Sequence, residues 1–328
     1  MKLPRRTVVH LAAAAAAFQV VSRVTWAENY PSRPVRIIVG FAPGGGTDLL
    51  ARLMGQWLSD RLAQQFVVEN RPGAAGNIAT ESVARAAPDG YTLLMIDSQP
   101  AINVTLFDKL NFDFIRDVAP VVGVLRVSTV MAVSPSVPAK TVSEFIAYAK
   151  ASPGKLGMAS PGNGSAPHLT GELFKMMAGV DMFHVPYRGG ALAMTDLIAG
   201  QVQVLFIGPS ASIEYIRTGR LRALAVTSAN RLDLLPDIPT VSEFVPGFEA
   251  SGFFGIVGPK NTPSEIVKRL NREINAGLAD PKIKARLADY GGTVLGGSPA
   301  DFDRLIADET EKWARVIRFS GIKAGQEK

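Results

Sequence analysis

Residues 35–50 read VRIIVGFAPGGGTDLL, and this stretch decides the fold. Val35-Arg36-Ile37-Ile38-Val39 is a short apolar run of mostly β-branched residues, as in a buried strand. A glycine-rich turn follows from 42 to 48. Leu49, Leu50, Leu53, Met54, Trp57, Leu58 and Leu62 then recur at helical spacing. Phe66-Val67-Val68 is the next strand, a Gly-rich loop leads to a helix over 78–87, Asp89-Gly90 is a turn, and 91–96 is a third strand. The order βαβαβ predicts a parallel sheet with helices on both faces.

Outward from this unit, 118–133 is long and apolar for one strand and reads as a crossing between two units. A second alternating run follows. Thr141 and Glu144 form a capping box for a helix to about 152. Strands are expected over 155–159, 182–185, 202–207 and 222–227, with one intervening helix closed by Gly200. A second crossing strand is expected over 251–257. Thr262-Pro263-Ser264-Glu265 and Ser298-Pro299-Ala300-Asp301 open two more helices, with proline at the first helical position. The last of these is expected to run to Phe319. The domain expectation is therefore a discontinuous first lobe, 28–127 plus 250–328, with a second lobe, 128–249, inserted in it.

Composition narrows the function. The 328 residues are 47% hydrophobic and 20% charged, which suits a folded chain of about two domains. There is no cysteine, which removes a disulfide scaffold, a Cys-ligated zinc or iron–sulfur site, a thiol nucleophile and a lipid-bearing N-terminal Cys. Lys2, Arg5, Arg6 and Arg23 lie within residues 1–27, which hold no acid. Setting these four aside leaves 31 basic against 29 acidic residues, a balance that gives little support to nucleic-acid binding.

Residues 1–27 have the order of a secretory signal: a basic start, an apolar run over 8–21, and Thr25-Trp26-Ala27 before a cut. The run is too short to span a membrane comfortably. Cleavage after Ala27 and residence outside the cytoplasm are expected. Arg5-Arg6 resembles a twin-arginine signal without its usual continuation, which leaves the export route open.

Two loops invite a ligand. Gly44-Gly45-Gly46-Thr47-Asp48 joins a strand to a helix, where glycines admit a close approach and the first helical N–H groups favour an anion. It is neither a P-loop nor Gly-x-Gly-x-x-Gly. A plain tight turn, with Thr47 as cap and Asp48 complementing the helix dipole, reads equally well. Ser160-Pro161-Gly162-Asn163-Gly164-Ser165-Ala166-Pro167-His168 occupies the same kind of place in the second half, and Tyr187-Arg188-Gly189-Gly190 is a third such loop. Pro72-Gly73-Ala74-Ala75-Gly76-Asn77 reads as turn and cap. Donor-rich loops in separate halves suggest a cleft gripping one small anion from both sides. Catalysis is poorly supplied. His184 reads as a core residue of an apolar strand, and His168, at a helix start, reads as a cap or a site residue, with the structural role favoured. No nucleophile elbow, carboxylate pair or metal-ligand spacing stands out.

Together these motifs resemble the solute receptors of the tripartite tricarboxylate transporter system, the Bug-type proteins. The resemblance runs through YPSRPVRIIV (30–39), PGGGTD (43–48), VENRPGA (68–74), PDGYTLL (88–94), HVPYRG (184–189) and LRALAVT (221–227). It implies an α/β, two-lobed type II periplasmic binding fold, each lobe a mostly parallel sheet flanked by helices, with two crossover strands. It implies a small carboxylate held between the lobes, partly through ordered waters, and passed to membrane permease subunits. By position the contacts fall on Gly44, Gly45, Gly46, Thr47 and Asp48, on Asp97 and Ser98, and on Ser160, Gly162, Asn163, Gly164, Ser165, Tyr187 and Gly189. No catalytic residue, metal or cofactor is implied, and a periplasmic monomer without nucleic acid is expected. Phe253 stands where many relatives have Trp, Ile207-Gly208-Pro209 replaces a more polar segment, and Gln203 a frequent acid; these bear on which carboxylate fits. The alternatives are a secreted hydrolase or transferase using Ser165 and His168, and a carboxylate sensor for a signalling partner.

Overall fold

Val35, Ile37, Ile38 and Val39 are completely buried, as befits a strand covered on both faces. The computed structural model describes residues 30–325, so the leader expected at 1–27 lies outside the described residues. In chain order the elements are β1 (Val35–Val39), α1 (Gly46–Leu62), β2 (Phe66–Asn70), α2 (Asn77–Ala84), β3 (Thr92–Ile96), α3 (Gln99–Leu106), the single turn α4 (Phe114–Asp117), β4 (Val118–Ser128) and β5 (Val130–Val133). Then come α5 (Val142–Ala151), β6 (Gly157–Ser160), α6 (Ala166–Ala178), β7 (Phe183–Pro186), α7 (Gly190–Ile198), β8 (Val204–Ile207), α8 (Pro209–Arg217) and β9 (Arg222–Val226). The chain closes with β10 (Ser251–Pro259), α9 (Ser264–Ala279), α10 (Pro281–Asp289), β11 (Gly292–Gly296) and α11 (Pro299–Ser320).

The strands form two sheets, ordered β11-β4-β10-β3-β1-β2 and β7-β6-β8-β5-β9. Each has a parallel trio, β2-β1-β3 in one and β7-β6-β8 in the other, followed by antiparallel strands. The two lobes thus repeat one topology. The sheets are mixed where mostly parallel ones were expected. Connectivity is the reason: β4 runs out of the first sheet toward the second and β10 returns, so the two pair antiparallel.

The expected long crossing at 118–133 breaks at Thr129 into β4 and β5, one in each sheet. The two crossings lie side by side. Thr129 N–H donates to Thr227 Oγ1 and Thr227 N–H to the Thr129 carbonyl, both at 2.9 Å. Ala250 N–H donates to the Thr227 carbonyl at 2.9 Å, and the Ser128 and Ser251 hydroxyls are 3.3 Å apart.

Helix α11 braces both lobes. Phe302 and Ile306, near its start, join the apolar cluster of Ile38, Phe114 and Phe253. Trp313, Val316 and Ile317, near its end, join the second core with Phe174 and Phe206, as do Ile102 and Leu106 of α3. Full burial of such side chains stabilises by roughly 1.5–3 kcal/mol each. Phe302 packs so closely on β10 that a Cβ on Gly255 would lie 2.1 Å from its ring. The start of α11 has the full Ser298–Asp301 capping box. Elsewhere the caps shift: Pro263 is itself the cap residue of α9, and Glu144 accepts from the Lys140 N–H, one residue outside the expected box.

Candidate functional site

In open α/β sheets ligands bind beyond the carboxyl ends of the strands, where the strand order reverses. Here those points follow β1 and β3 in one sheet and β6 and β8 in the other. The two glycine loops singled out in the sequence follow β1 and β6.

In the first loop, Gly44 has φ +86°, and its N–H donates to Asp48 Oδ2 at 2.9 Å. Asp48 is buried. It also accepts from Arg52 through both guanidinium arms at 2.9 Å and from Asn70 Nδ2 at 2.9 Å. The Arg52 guanidinium holds its carboxyl down at about 2, against a burial effect that raises it. Asp48 therefore ties the loop together and has little left to offer a solute. Gly45 is the N-cap of α1 and makes no side-chain cap bond. Thr47 sits inside the helix, so the expected Thr47 cap is corrected: its hydroxyl bonds Asp97 instead. The first N–H groups of α1 have no partners within the helix and lie at its positive end.

Asp97 follows β3. Its carboxyl accepts from Gln99 N–H at 2.9 Å and from Thr47, yet burial pushes it up to about 6. Ser98 is buried, and its hydroxyl accepts from Phe253 N–H at 2.8 Å. Phe254, next along β10, approaches the loop: its ring lies 3.6 Å from where a Gly46 Cβ would stand.

The second loop closes on itself. The Ser160 hydroxyl donates to the Gly162 carbonyl at 3.0 Å and accepts from Gly162 N–H at 3.2 Å. The Ser165 hydroxyl donates to the same carbonyl at 2.7 Å and caps α6 by accepting from the His168 backbone N–H. Tyr187 N–H donates to the Ser160 carbonyl and Gly189 N–H to the Pro161 carbonyl, which fastens the third loop to the second. The Tyr187 hydroxyl donates to Asp196 at 2.7 Å; burial first, then that carboxylate, pushes it up to about 12. The Asn163 amide reaches the Lys323 carbonyl at 3.3 Å.

Ser160, Gly162, Gly164, Ser165, Tyr187 and Gly189 thus form one patch, and Gly44, Gly45, Gly46, Thr47, Asp48 and Asp97 another. Gln99, from the 97–101 loop that the resemblance implies as pocket lining, joins them: its Nε2 donates to the Gly164 carbonyl at 3.3 Å and to Asn103 Oδ1 at 2.9 Å. His184 is another correction. It was expected in the core, but β7 is the edge strand of its sheet and the ring is half-buried. Its Nε2 lies 2.6 Å from Ser160 Oγ. The Ser165–His168 ring pair that the hydrolase alternative would use is not formed: Ser165 accepts from the His168 backbone N–H and donates to the Gly162 carbonyl.

Residues 50–322 match the tripartite tricarboxylate transporter family receptor. Protein BugT of Bordetella pertussis is 38% identical over 300 residues, covering 90% of this chain and 92% of that protein. Among solved structures, R. palustris Rpa4515 with adipate is 37% identical with a TM-score of 0.77, over 90% of this chain and 99% of that one. MatC from Rhodopseudomonas palustris with bound malate is 31% identical with a TM-score of 0.73, over 88% and 100%. With its two lobes of repeated topology and this likeness along nearly the whole described chain, the protein belongs to the tripartite tricarboxylate transporter family of solute-binding receptors.

Proposed function

We propose that this receptor captures a small carboxylate between the loops at 44–48 and 160–165 and delivers it to the permease subunits of a tripartite transporter. The observation that carries the reading is the placement of a glycine loop and a helix start at the carboxyl end of the central parallel strand of each lobe. Backbone N–H groups there suit a carboxylate, and each charge-assisted hydrogen bond contributes about 1.5–3 kcal/mol. Adipate and malate in the two relatives support a dicarboxylate. The lobes are assigned as 30–127 plus 250–325 and 128–249, in keeping with the crossings at Thr129 and Ala250. The receptor acts as a monomer in the periplasm after loss of residues 1–27, without catalysis or cofactor. The internal bonding of Ser165 and His168 supports this over a hydrolase.

A thermal-shift and calorimetry screen of the exported protein with acetate, malate, succinate, adipate and citrate tests the reading. A ligand at 100 times its dissociation constant adds about 2.7 kcal/mol of stability. If no carboxylate raises the melting temperature, the proposal fails. Loss of uptake of the identified solute in a deletion strain separates transport from sensing.

A further inference from the structure

Two histidines stand stacked behind the second loop, and the family reading gives them no role. His168, in the first turn of α6, is 2% exposed. His184 comes from β7, and the two rings lie 3.5 Å apart and 8° from parallel. The Gly164 backbone N–H donates to His168 Nδ1 at 3.1 Å. A ring nitrogen that accepts carries no proton, so His168 is neutral with its hydrogen on Nε2. That nitrogen faces Glu172 Oε1 at 3.7 Å, and Lys175 Nζ meets the same oxygen at 2.8 Å. Burial works to raise the Glu172 carboxyl, but His168 and Lys175 outweigh it and hold it below its ordinary range. An anionic Glu172 keeps the His168 hydrogen on the far nitrogen and Nδ1 free for Gly164.

His184 serves the other end of the loop. With Ser160 donating to Gly162, the His184 Nε2–H is the donor to Ser160 Oγ. Each imidazole thus fixes one end of the segment that presents Ser160, Gly162, Gly164 and Ser165.

Resting on the receptor reading above, we infer that His168 is a positioning residue of the solute site: as a neutral Nδ1 acceptor, backed by the His184 ring and oriented by Glu172, it sets the direction of the Gly164 peptide and so the shape of the loop that faces the carboxylate. It touches the loop and acts on the solute only through it. Gly164 has φ +72°, and Gln99 already holds its carbonyl, so His168 and Gln99 fix the peptide units on its two sides.

The test compares wild type, His168→Asn and His168→Leu in the exported protein. Asn places an oxygen acceptor near the Nδ1 position; Leu fills space and accepts nothing. Three readouts are taken: the protonation state of the His168 nitrogens by long-range 1H–15N correlation, hydrogen exchange over 160–166, and the adipate dissociation constant. The expected results are an unprotonated Nδ1 in wild type, and for Leu about tenfold faster exchange and about tenfold weaker adipate binding. Asn should restore both to within about threefold. A protonated Nδ1, a Leu variant with unchanged exchange and affinity, or an Asn variant as impaired as Leu overturns the inference. A wild-type protein that binds no carboxylate overturns the receptor reading instead, and the exchange comparison alone then decides whether His168 holds the loop. If His168→Leu does not fold, the nitrogen assignment and the Asn variant carry the decision.

Discussion

Gln99 Nε2 donates to the Gly164 carbonyl at 3.3 Å, so the first residue of α3, in one lobe, holds the glycine loop of the other. The same glycine rests on Leu106 at the far end of α3: a Cβ there would lie 2.5 Å from the Leu106 side chain. Gly164→Ala therefore meets both a left-handed backbone and a collision. We expect a loss of about 1–3 kcal/mol in stability together with weakened solute binding, read by denaturant melts and calorimetry. A variant as stable and as tight as wild type would show that the loop has another shape in solution.

Gly45 presents the opposite case. Its φ of −77° and ψ of 167° suit any residue, and a Cβ there meets only the Ala42 carbonyl, at 3.7 Å. Gly45→Val should leave the melting temperature nearly unchanged while adipate or malate affinity drops at least about tenfold, because the new methyls fill the approach to the α1 N–H groups. Unchanged affinity in this folded variant would remove the first loop from the site.

The contrast between these glycines shows what the sequence can and cannot carry. The βαβ order, both crossings and both loops were legible because strand and helix periods and glycine turns are local signals. Thr47 reads locally as a cap, yet its partner Asp97 arrives from another strand end fifty residues away. His184 reads as core because its neighbours are apolar; only the sheet order makes β7 an edge. Helix α11 was legible as a helix, but its bracing of two cores depends on how the lobes meet, which no local pattern encodes.

Asp48 offers a test by pH. Its native carboxyl titrates at about 2, below the ordinary 3.8, so its contribution is complete above pH 3.8 and is lost as pH falls toward 2. Asp48→Asn should cost about 2 kcal/mol at pH 7, a figure kept modest because the Arg52 side chain is half exposed. The gap to wild type should close below pH 3. A gap that persists at pH 2 would assign the loss to packing.

His184 titrates in the other sense. Burial depresses it from 6.5 to about 3. The unfolded chain takes up this proton below pH 6.5 while the native state refuses it, so wild-type stability should decline as pH falls from 6.5 toward 3. His184→Gln removes that slope and loosens Ser160. Melting curves from pH 7 to 4 should show the two proteins converging as the pH drops; parallel curves would contradict a neutral, half-buried His184.

The final prediction concerns motion. The lobes are joined at two adjacent crossings, Thr129 and Ala250, bridged through Thr227. They also share apolar packing through α3 and α11. A carboxylate touching both patches is bound fully only when the lobes are close, so it favours the closed form by its differential contacts. The shared packing lies on the Leu106–Trp313 side and limits how far the cleft can open there. Closure is expected as a rotation about the Thr129–Ala250 seam, and solute should lower the radius of gyration measured by small-angle scattering at saturation. In Gln99→Ala the lobes lose the Gly164 tie, so the unliganded protein should scatter as a more open particle and close further on binding. Superimposable curves for free and saturated wild type would mean a rigid, preformed cleft, and the hinge would have to be abandoned.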